Sequence, residues 1–269
     1  MKKSDYDVLQ ALLRGESVGG SRLKGELLDK LKEEQLLIPS RHGSRVSYRA
    51  SDAAAIRRVF NVCNPASATT RAELMERWGD SKLVPIRSCP GFPVNVYEPL
   101  NATLHETALT LNPTPGAFTF ISDWQSFRIP SEVIVIGVEN MENFRCINRQ
   151  RYLFEYLGFP VLFASRYPQS GDLAQWLKRI PNKYIHFGDF DLAGIHIYLT
   201  EFRKWLDDSR CEFFIPRDIE TLLAKGSRDR YDSQIARFGK LTVDDPRLEY
   251  LISLLHKYRK GYDQEGLIR

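Results

Sequence analysis

Asp189 and Asp191 flank Phe190 in the stretch KYIHFGDFDLAGIHIYL, residues 183–199. Side chains two residues apart on an extended strand end point the same way, so this spacing sets two carboxylates side by side. Like charges held together repel unless a cation sits between them. The chemistry on offer is therefore the binding of a divalent cation by hard oxygen ligands. Leu192-Ala193-Gly194 then opens a run, Ile195 to Phe202, with helical character.

The elements around this pair supply a third carboxylate. EVIVIGV (132–138) predicts a buried strand, FRCINRQRYLFEYLG (144–158) a helix, and PVLFAS (160–165) a second strand. DLAQWLKRI (172–180) predicts another helix, KYIHFGDFD the third strand, and a further helix leads to CEFFIP (211–216). Strands alternating with helices imply parallel βαβ units in a doubly wound sheet. Ligands of such sheets bind beyond the carboxyl ends of the strands. Glu139 directly follows the first strand and Asp189 and Asp191 end the third, which places all three at one rim. His186 and His196 flank the motif and are expected to be packed rather than to ligate metal.

Toward the N-terminus the pattern differs. Val8, Leu9, Leu12 and Leu13 fall at helical spacing, Gly19-Gly20 breaks the run, and Ser21 is a candidate cap for a second helix. That helix carries an apolar stripe, Leu23, Leu27, Leu28 and Leu31, surrounded by Arg22, Lys24, Lys30 and Lys32. LLIPSRHGSRVSYRAS (36–51) predicts a hairpin with a basic turn at Arg41-His42-Gly43, its second strand running from Arg45 through Val46 and Tyr48. Helix, helix and basic hairpin describe a winged helix-turn-helix, which seats its second helix in a major groove and its wing on phosphates. Arg22, Lys24, Arg41 and Arg45 are the candidate DNA contacts. A helix is expected over 51–61, NPASATT (64–70) is a polar linker, and ETALTLNPTPGAFTFI (106–121) is a hairpin candidate with Pro and Gly in its turn. The expected organisation is a winged domain over 1–63, a connecting region with strands over 64–130, and a catalytic α/β domain over 131–269.

Bulk properties agree. The 269 residues are 43% hydrophobic and 27% charged, enough to build substantial cores. The first 60 residues hold twelve Lys/Arg against eight Asp/Glu, which accounts for the whole net charge of +4. A basic end on a neutral body suits a nucleic-acid-binding module joined to something else. No run of eighteen apolar residues predicts a membrane span, and the N-terminus lacks the apolar stretch of a signal peptide. Cys63, Cys89, Cys146 and Cys211 are scattered without zinc spacing, as expected of reduced thiols in a cytoplasmic protein.

A glutamate at one strand end and Asp-x-Asp at another resemble the signature of the Toprim domain of topoisomerases, primases and several nucleases. More of the chain resembles the JetD family, the nuclease subunit of bacterial Wadjet anti-plasmid defence systems, related to the A subunit of type IIB topoisomerases. The resemblance is carried by VIGVENMENF (135–144), FGDFDLAGIHI (187–197) and DQEGLI (263–268). It matches Glu139-Asn140, then Gly188, Asp189, Asp191 and Gly194, then Gln264-Glu265, with GDSK (79–82) as a shorter match. It implies a winged helix-turn-helix followed by a Toprim domain with a mainly parallel sheet flanked by helices. Implied too are a site of Glu139, Asp189, Asp191 and Glu265 holding Mg²⁺ or Mn²⁺, with Lys82 near the scissile phosphate. The expected activity is metal-dependent hydrolysis of duplex DNA, plasmid or otherwise foreign, by a homodimer that an SMC-type ATPase complex could accompany. Two alternatives stay open: a topoisomerase-like transesterase, for which Tyr48 is the only tyrosine near the wing, and a non-catalytic winged-helix DNA-binding protein.

Overall fold

The computed structural model describes residues 3–63, 66, 68–87, 89–158, 160–167, 170–207 and 209–269. The chain divides into two compact units, Met1–Ser88 and Cys89–Arg269.

In the first unit the order is α1 (Lys3–Leu13), β1 (Val18–Gly19), α2 (Gly25–Glu33), β2 (Leu37–His42), β3 (Arg45–Ala50), α3 (Ala53–Cys63) and α4 (Arg71–Trp78). The strands form an antiparallel sheet of order β1-β3-β2. Val8, Leu9 and Leu12 of α1 share a core with Leu27 and Leu31 of α2 and Ile56 and Val59 of α3. These are the periodic apolar positions of each helix, which bury one stripe and leave the charged residues outside. Ser21 does not cap α2. The Gly20 N–H donates to Val46 O, and the N–H groups of Arg22 and Leu23 turn back onto Gly19 O, so the chain is still reversing there. The helix begins four residues later, after Lys24 in extended backbone.

The second unit adds β4 (Phe92–Val96), β5 (Leu100–Leu104), β6 (Thr107–Leu111), β7 (Thr119–Ile121), β8 (Ile134–Val138), α5 (Met141–Arg145), β9 (Val161–Ser165), α6 (Ser170–Leu177), β10 (Tyr184–Phe187), α7 (Leu192–Ile197), β11 (Cys211–Phe213), α8 (Ile219–Ala224), α9 (Arg228–Phe238) and α10 (Pro246–Tyr258). Its main sheet has the order β11-β10-β8-β9-β4-β7. Neighbours among β8 to β11 are parallel, and β4 and β7 extend the sheet antiparallel beyond β9. Thus strands placed by sequence in a connecting region hydrogen-bond into the same sheet as β8–β10. The chain steps from β8 to β9 on one side and then crosses to β10 on the other, which makes the β8–β10 boundary the topological switch point. Every residue of β8 and β10 is buried, as expected of central parallel strands covered on both faces.

Two local expectations are corrected. The segment 144–158 is not one helix: α5 ends at Arg145 and 3-10 turns follow over Ile147–Leu153 and Glu155–Leu157. The buried Gln150 side chain donates to the carbonyls of Asn143 and Cys146, acceptors that a continuous α-helix needs for its own ladder. The hairpin expected over 106–121 is also displaced. β6 pairs with β5, and β7 pairs with β4. The true turn is His105-Glu106, both with left-handed φ (50° and 62°), where the Leu104–Thr107 pair closes a two-residue loop. Such turns favour Asn-Gly, so this one carries no recognisable signal in sequence. Replacing Glu106 by Gly relieves the left-handed strain and is expected to raise stability by about 1 kcal/mol, read as a higher urea midpoint. An unchanged or lower midpoint would show that Glu106 bears no such strain.

Candidate functional site

Register fixes the rim. Val138 lies opposite both Ser165 and Phe187, so β8, β9 and β10 end level and their next residues are Glu139, Arg166 and Gly188. The Glu139 N–H continues the ladder to Phe187 O (2.9 Å). One carboxylate oxygen of Glu139 accepts from Arg166 (3.2 Å), whose other terminal nitrogen pairs with Glu201 (2.9 Å). Its second oxygen faces His186 Nε2 at 3.7 Å, beyond hydrogen-bonding reach, and is buried without a hydrogen-bond partner. His186 is 1% exposed and shares a hydrogen bond at Nδ1 with the Tyr184 hydroxyl (2.9 Å). Glycines make room for this row: a Cβ on Gly137 would strike the Tyr184 ring, and one on Gly188 would come within 2.6 Å of Glu139 Oε2. His196 packs its ring on Phe238, so both histidines are packed as expected.

Beyond β10 the chain meets its own C-terminal segment. Phe190 and Tyr262 exchange backbone hydrogen bonds (2.9 and 3.1 Å) as an antiparallel bridge. Asp189 and Asp191 flank one partner of that bridge and Gly261 and Asp263 the other. Ligand oxygens of Asp189, Asp191 and Asp263 consequently lie within 4.8 Å of one another. Asp191 is 2% exposed; its Oδ1 accepts from Gly194 N (2.7 Å) at the start of α7 and its Oδ2 from Gln234 of α9 (2.8 Å). Asp189 Oδ1 accepts from Gln264 N (2.9 Å). Asn140 ties the segment to the end of β8: its Oδ1 caps α5 while its Nδ2 donates to Glu265 (2.5 Å), whose other oxygen is buried without a partner. Beneath lies a buried amide network in which Asn143 donates to Gln150 (2.7 Å) and to Gln264 O (2.8 Å).

One cation serves the three aspartates. Arg230 of α9 stands 3.5 Å from Asp191 and 3.8 Å from Asp189 through one terminal nitrogen, and 2.7 Å from Asp263 through the other. The Asp263 pairing is short but poorly aligned for a hydrogen bond, and is best described as an ion pair. Burial lowers the guanidinium pKa, but the aspartates around it outweigh that and leave it raised. The two acidic ends of the site differ in kind. Burial pushes the Asp189 carboxyl up, the Gln264 N–H opposes it, and Asp191, Glu139 and Glu265 add repulsion, so it reaches about 7. Burial also works against ionised Glu139, yet attraction to His186 and Arg166 prevails and holds it below the ordinary range.

The residues singled out in sequence are thus placed as follows. Of the four expected metal ligands, Asp189 and Asp191 join Asp263 in the close cluster, whereas Glu139 at the end of β8 and Glu265, held by Asn140, stand outside it and act on Asp189 through their charge. Lys82 is exposed in the first unit, its N–H donating to Asp80 (2.8 Å). Arg22, Lys24, Arg41 and Arg45 are exposed, the first two ahead of α2 and the others in β2 and β3 at the hairpin turn. Tyr48 points into the core at 9% exposure, with Lys32 Nζ 5.8 Å above its ring. Sequence reasoning missed Asp263, Arg166, Arg230 and Gln234. Asp263 stands two residues before Glu265, the spacing of Asp189 and Asp191, and Arg166 follows a strand just as Glu139 does; both signals were legible. Arg230 and Gln234 carry no such signal, being helix residues brought in from about 40 positions away.

The donor set fits a divalent cation. Its ligands are hard oxygens, the spacing suits one ion between them, and Glu139 and Glu265 each bury an oxygen without a partner. Among the described residues no helix is long and apolar enough to cross a membrane, and Cys89 and Cys146 are free thiols.

The opposed carboxyl environments predict opposite stability effects in metal-free protein. The folded Asp189 value lies above its unfolded one, so its ionisation opposes folding from about pH 4 upward and fully above about pH 7. Asp189→Asn should therefore gain more than about 1 kcal/mol at pH 8, with the gain vanishing toward pH 4. Glu139 behaves conversely: its stabilisation is present above its ordinary value and lost as pH falls through the lower folded one. Glu139→Gln should lose about 1 kcal/mol at pH 7 and little at pH 3. Urea unfolding across this pH range checks both, and equal signs for the two variants would contradict the assignment.

No curated protein matches the chain. Residues 122–269, from the segment before β8 to the C-terminal segment carrying Asp263 and Glu265, match a family model over more than half of the sequence. The chain therefore belongs to the family described as Domain of unknown function (DUF7281).

Proposed function

We propose that the protein is a metal-dependent DNA endonuclease whose second unit is a Toprim-type catalytic domain and whose first unit is a winged helix that binds duplex DNA. The observation that carries this reading is the Asp189/Asp191/Asp263 cluster beyond the end of β10, with Glu139 following the neighbouring strand β8, where the doubly wound sheet changes direction. Asp189, Asp191 and Asp263 would hold Mg²⁺ or Mn²⁺, with Glu139 and Glu265 offering their unpartnered oxygens. Such an ion offsets the charge of a phosphodiester and lowers the pKa of an attacking water.

The chain's own groups prepare the site. Arg166 fixes the direction of Glu139 and, with His186 beside it, favours its ionised form, Asn140 orients Glu265, and the Gln264 N–H orients Asp189. Support for water rather than tyrosine as nucleophile comes from Tyr48, whose side chain is packed into the core of the first unit. A homodimer is the simple route to a double-strand break, one site per strand. An SMC-type ATPase complex belongs to the same proposal as a partner, and plasmid or other foreign DNA as the substrate.

Purified protein incubated with supercoiled plasmid and Mg²⁺ or Mn²⁺ should yield nicked or linear DNA. Glu139→Gln and Asp189→Asn should each lower the rate by at least about 100-fold while DNA binding persists. Cutting retained in both would sink the assignment. Tyr48→Phe should keep near-normal cutting, with no protein left attached to DNA ends; a covalent adduct that disappears in that variant would favour the transesterase instead. Reversing the charge of Arg22, Lys24, Arg41 and Arg45 together should weaken binding and flatten its salt dependence, by roughly one unit of logarithmic slope for each phosphate no longer neutralised. An unchanged slope would move the DNA surface elsewhere.

A further inference from the structure

The most unusual feature of the acid cluster is that a side chain already occupies it. Arg230 reaches in from α9 and spans all three aspartates, with one terminal nitrogen shared between Asp189 and Asp191 and the other on Asp263. The cluster needs this. Three carboxylates confined within 4.8 Å repel strongly, and Asp191, nearly fully buried, has little solvent to screen it. A guanidinium is suited to the task, being permanently charged, planar and able to serve several oxygens through separate N–H groups.

The same geometry sets a conflict. A Mg²⁺ or Mn²⁺ ion sits about 2.1 Å from its oxygen ligands, inside the space bounded by the carboxylates that Arg230 now faces. Ion and guanidinium compete for the same oxygens, and at such range the two positive charges repel. Arg230 is able to leave: it is about one-third exposed, and its aliphatic stem reaches in from a helix whose hold on the cluster is shared by Gln234. Two further oxygens, on Glu139 and Glu265, are buried without partners, so the site has ligand capacity that Arg230 does not fill.

We propose that Arg230 is an internal counter-cation that a divalent metal displaces, so that this one residue sets the metal affinity of the site and holds its carboxylates together when metal is absent. The inference rests on the metal-site reading given under Proposed function, and extends it to a positioning residue outside the acidic set. Gln234 has a separate part. It binds both Asp191 and the Ala193 N–H (3.1 Å), so it secures the start of α7 whether or not Arg230 stays.

The test is metal binding by DNA-free protein. Arg230→Met removes the charge and keeps much of the stem; Arg230→Lys keeps a charge but loses the fork. Titration calorimetry with Mn²⁺ should show Arg230→Met binding roughly tenfold or more tightly than wild type, with Arg230→Lys between them. In EDTA the melting temperature of Arg230→Met should fall below that of wild type, and saturating Mn²⁺ should raise it by a larger increment. If Arg230→Met does not fold without metal, Arg230→Lys carries the comparison. Equal or weaker Mn²⁺ affinity in a folded variant would overturn the proposal, as would absence of Mn²⁺ binding in wild type and variants alike. Plasmid cleavage by wild type separates the two claims. Tighter Mn²⁺ binding without cleavage defeats the nuclease reading alone, whereas cleavage without tighter binding defeats the Arg230 proposal alone.

Discussion

Repulsion among three aspartates is the constraint around which the second unit is arranged. The Phe190–Tyr262 bridge forces Asp189, Asp191 and Asp263 together, and backbone pairing alone would not hold like charges at that range. What permits it is a set of donors drawn from separate elements: Arg230 and Gln234 from α9, Gly194 N from α7, and Gln264 N from the C-terminal segment. Each donor depends on the docking of its own element. The close approach of Gly261 to Asp191 and of Gly194 to the Asp189 carbonyl shows how little room remains, since a side-chain carbon at either place would collide with the site.

The site divides into a settled half and an unsettled half. Glu139 pairs with Arg166, lies beside His186, and is favourable as a carboxylate in the folded state. Asp189 is held against the preference of its surroundings. A protein retains an unfavourable ionisable group where something else gains by it, and functional sites are where local rules of stability are most often broken. Asn140 joins the halves, capping α5 on one side and orienting Glu265 on the other.

Legibility in the sequence followed the range of the forces involved. The runs IVIGV and YIHF announce central parallel strands because burial on both faces leaves an unbroken apolar stretch. Asp189-Phe190-Asp191 announces paired carboxylates through the two-residue repeat of extended chain. The short helix over 141–145 was obscured because Gln150 takes carbonyls that periodicity assigns to a helix, and a side-chain amide leaves no trace in a hydrophobic pattern. The His105-Glu106 turn was obscured because its left-handed residues are not those that prefer such angles, whereas the Pro-Gly segment after it looked the better candidate.

By itself, then, the sequence determined the alternation of buried strands and helices, the rim on which Glu139, Asp189 and Asp191 fall, and the basic character of the first 60 residues. These depend on residue type and on spacing within one element, both of which are written locally. Tertiary structure alone decided that the C-terminal segment folds back on Phe190, that Asp263 completes the cluster, and that Arg230 neutralises it. Those outcomes depend on pairings between elements about 40 to 75 residues apart, set by strand order and helix docking rather than by any pattern a single segment can carry.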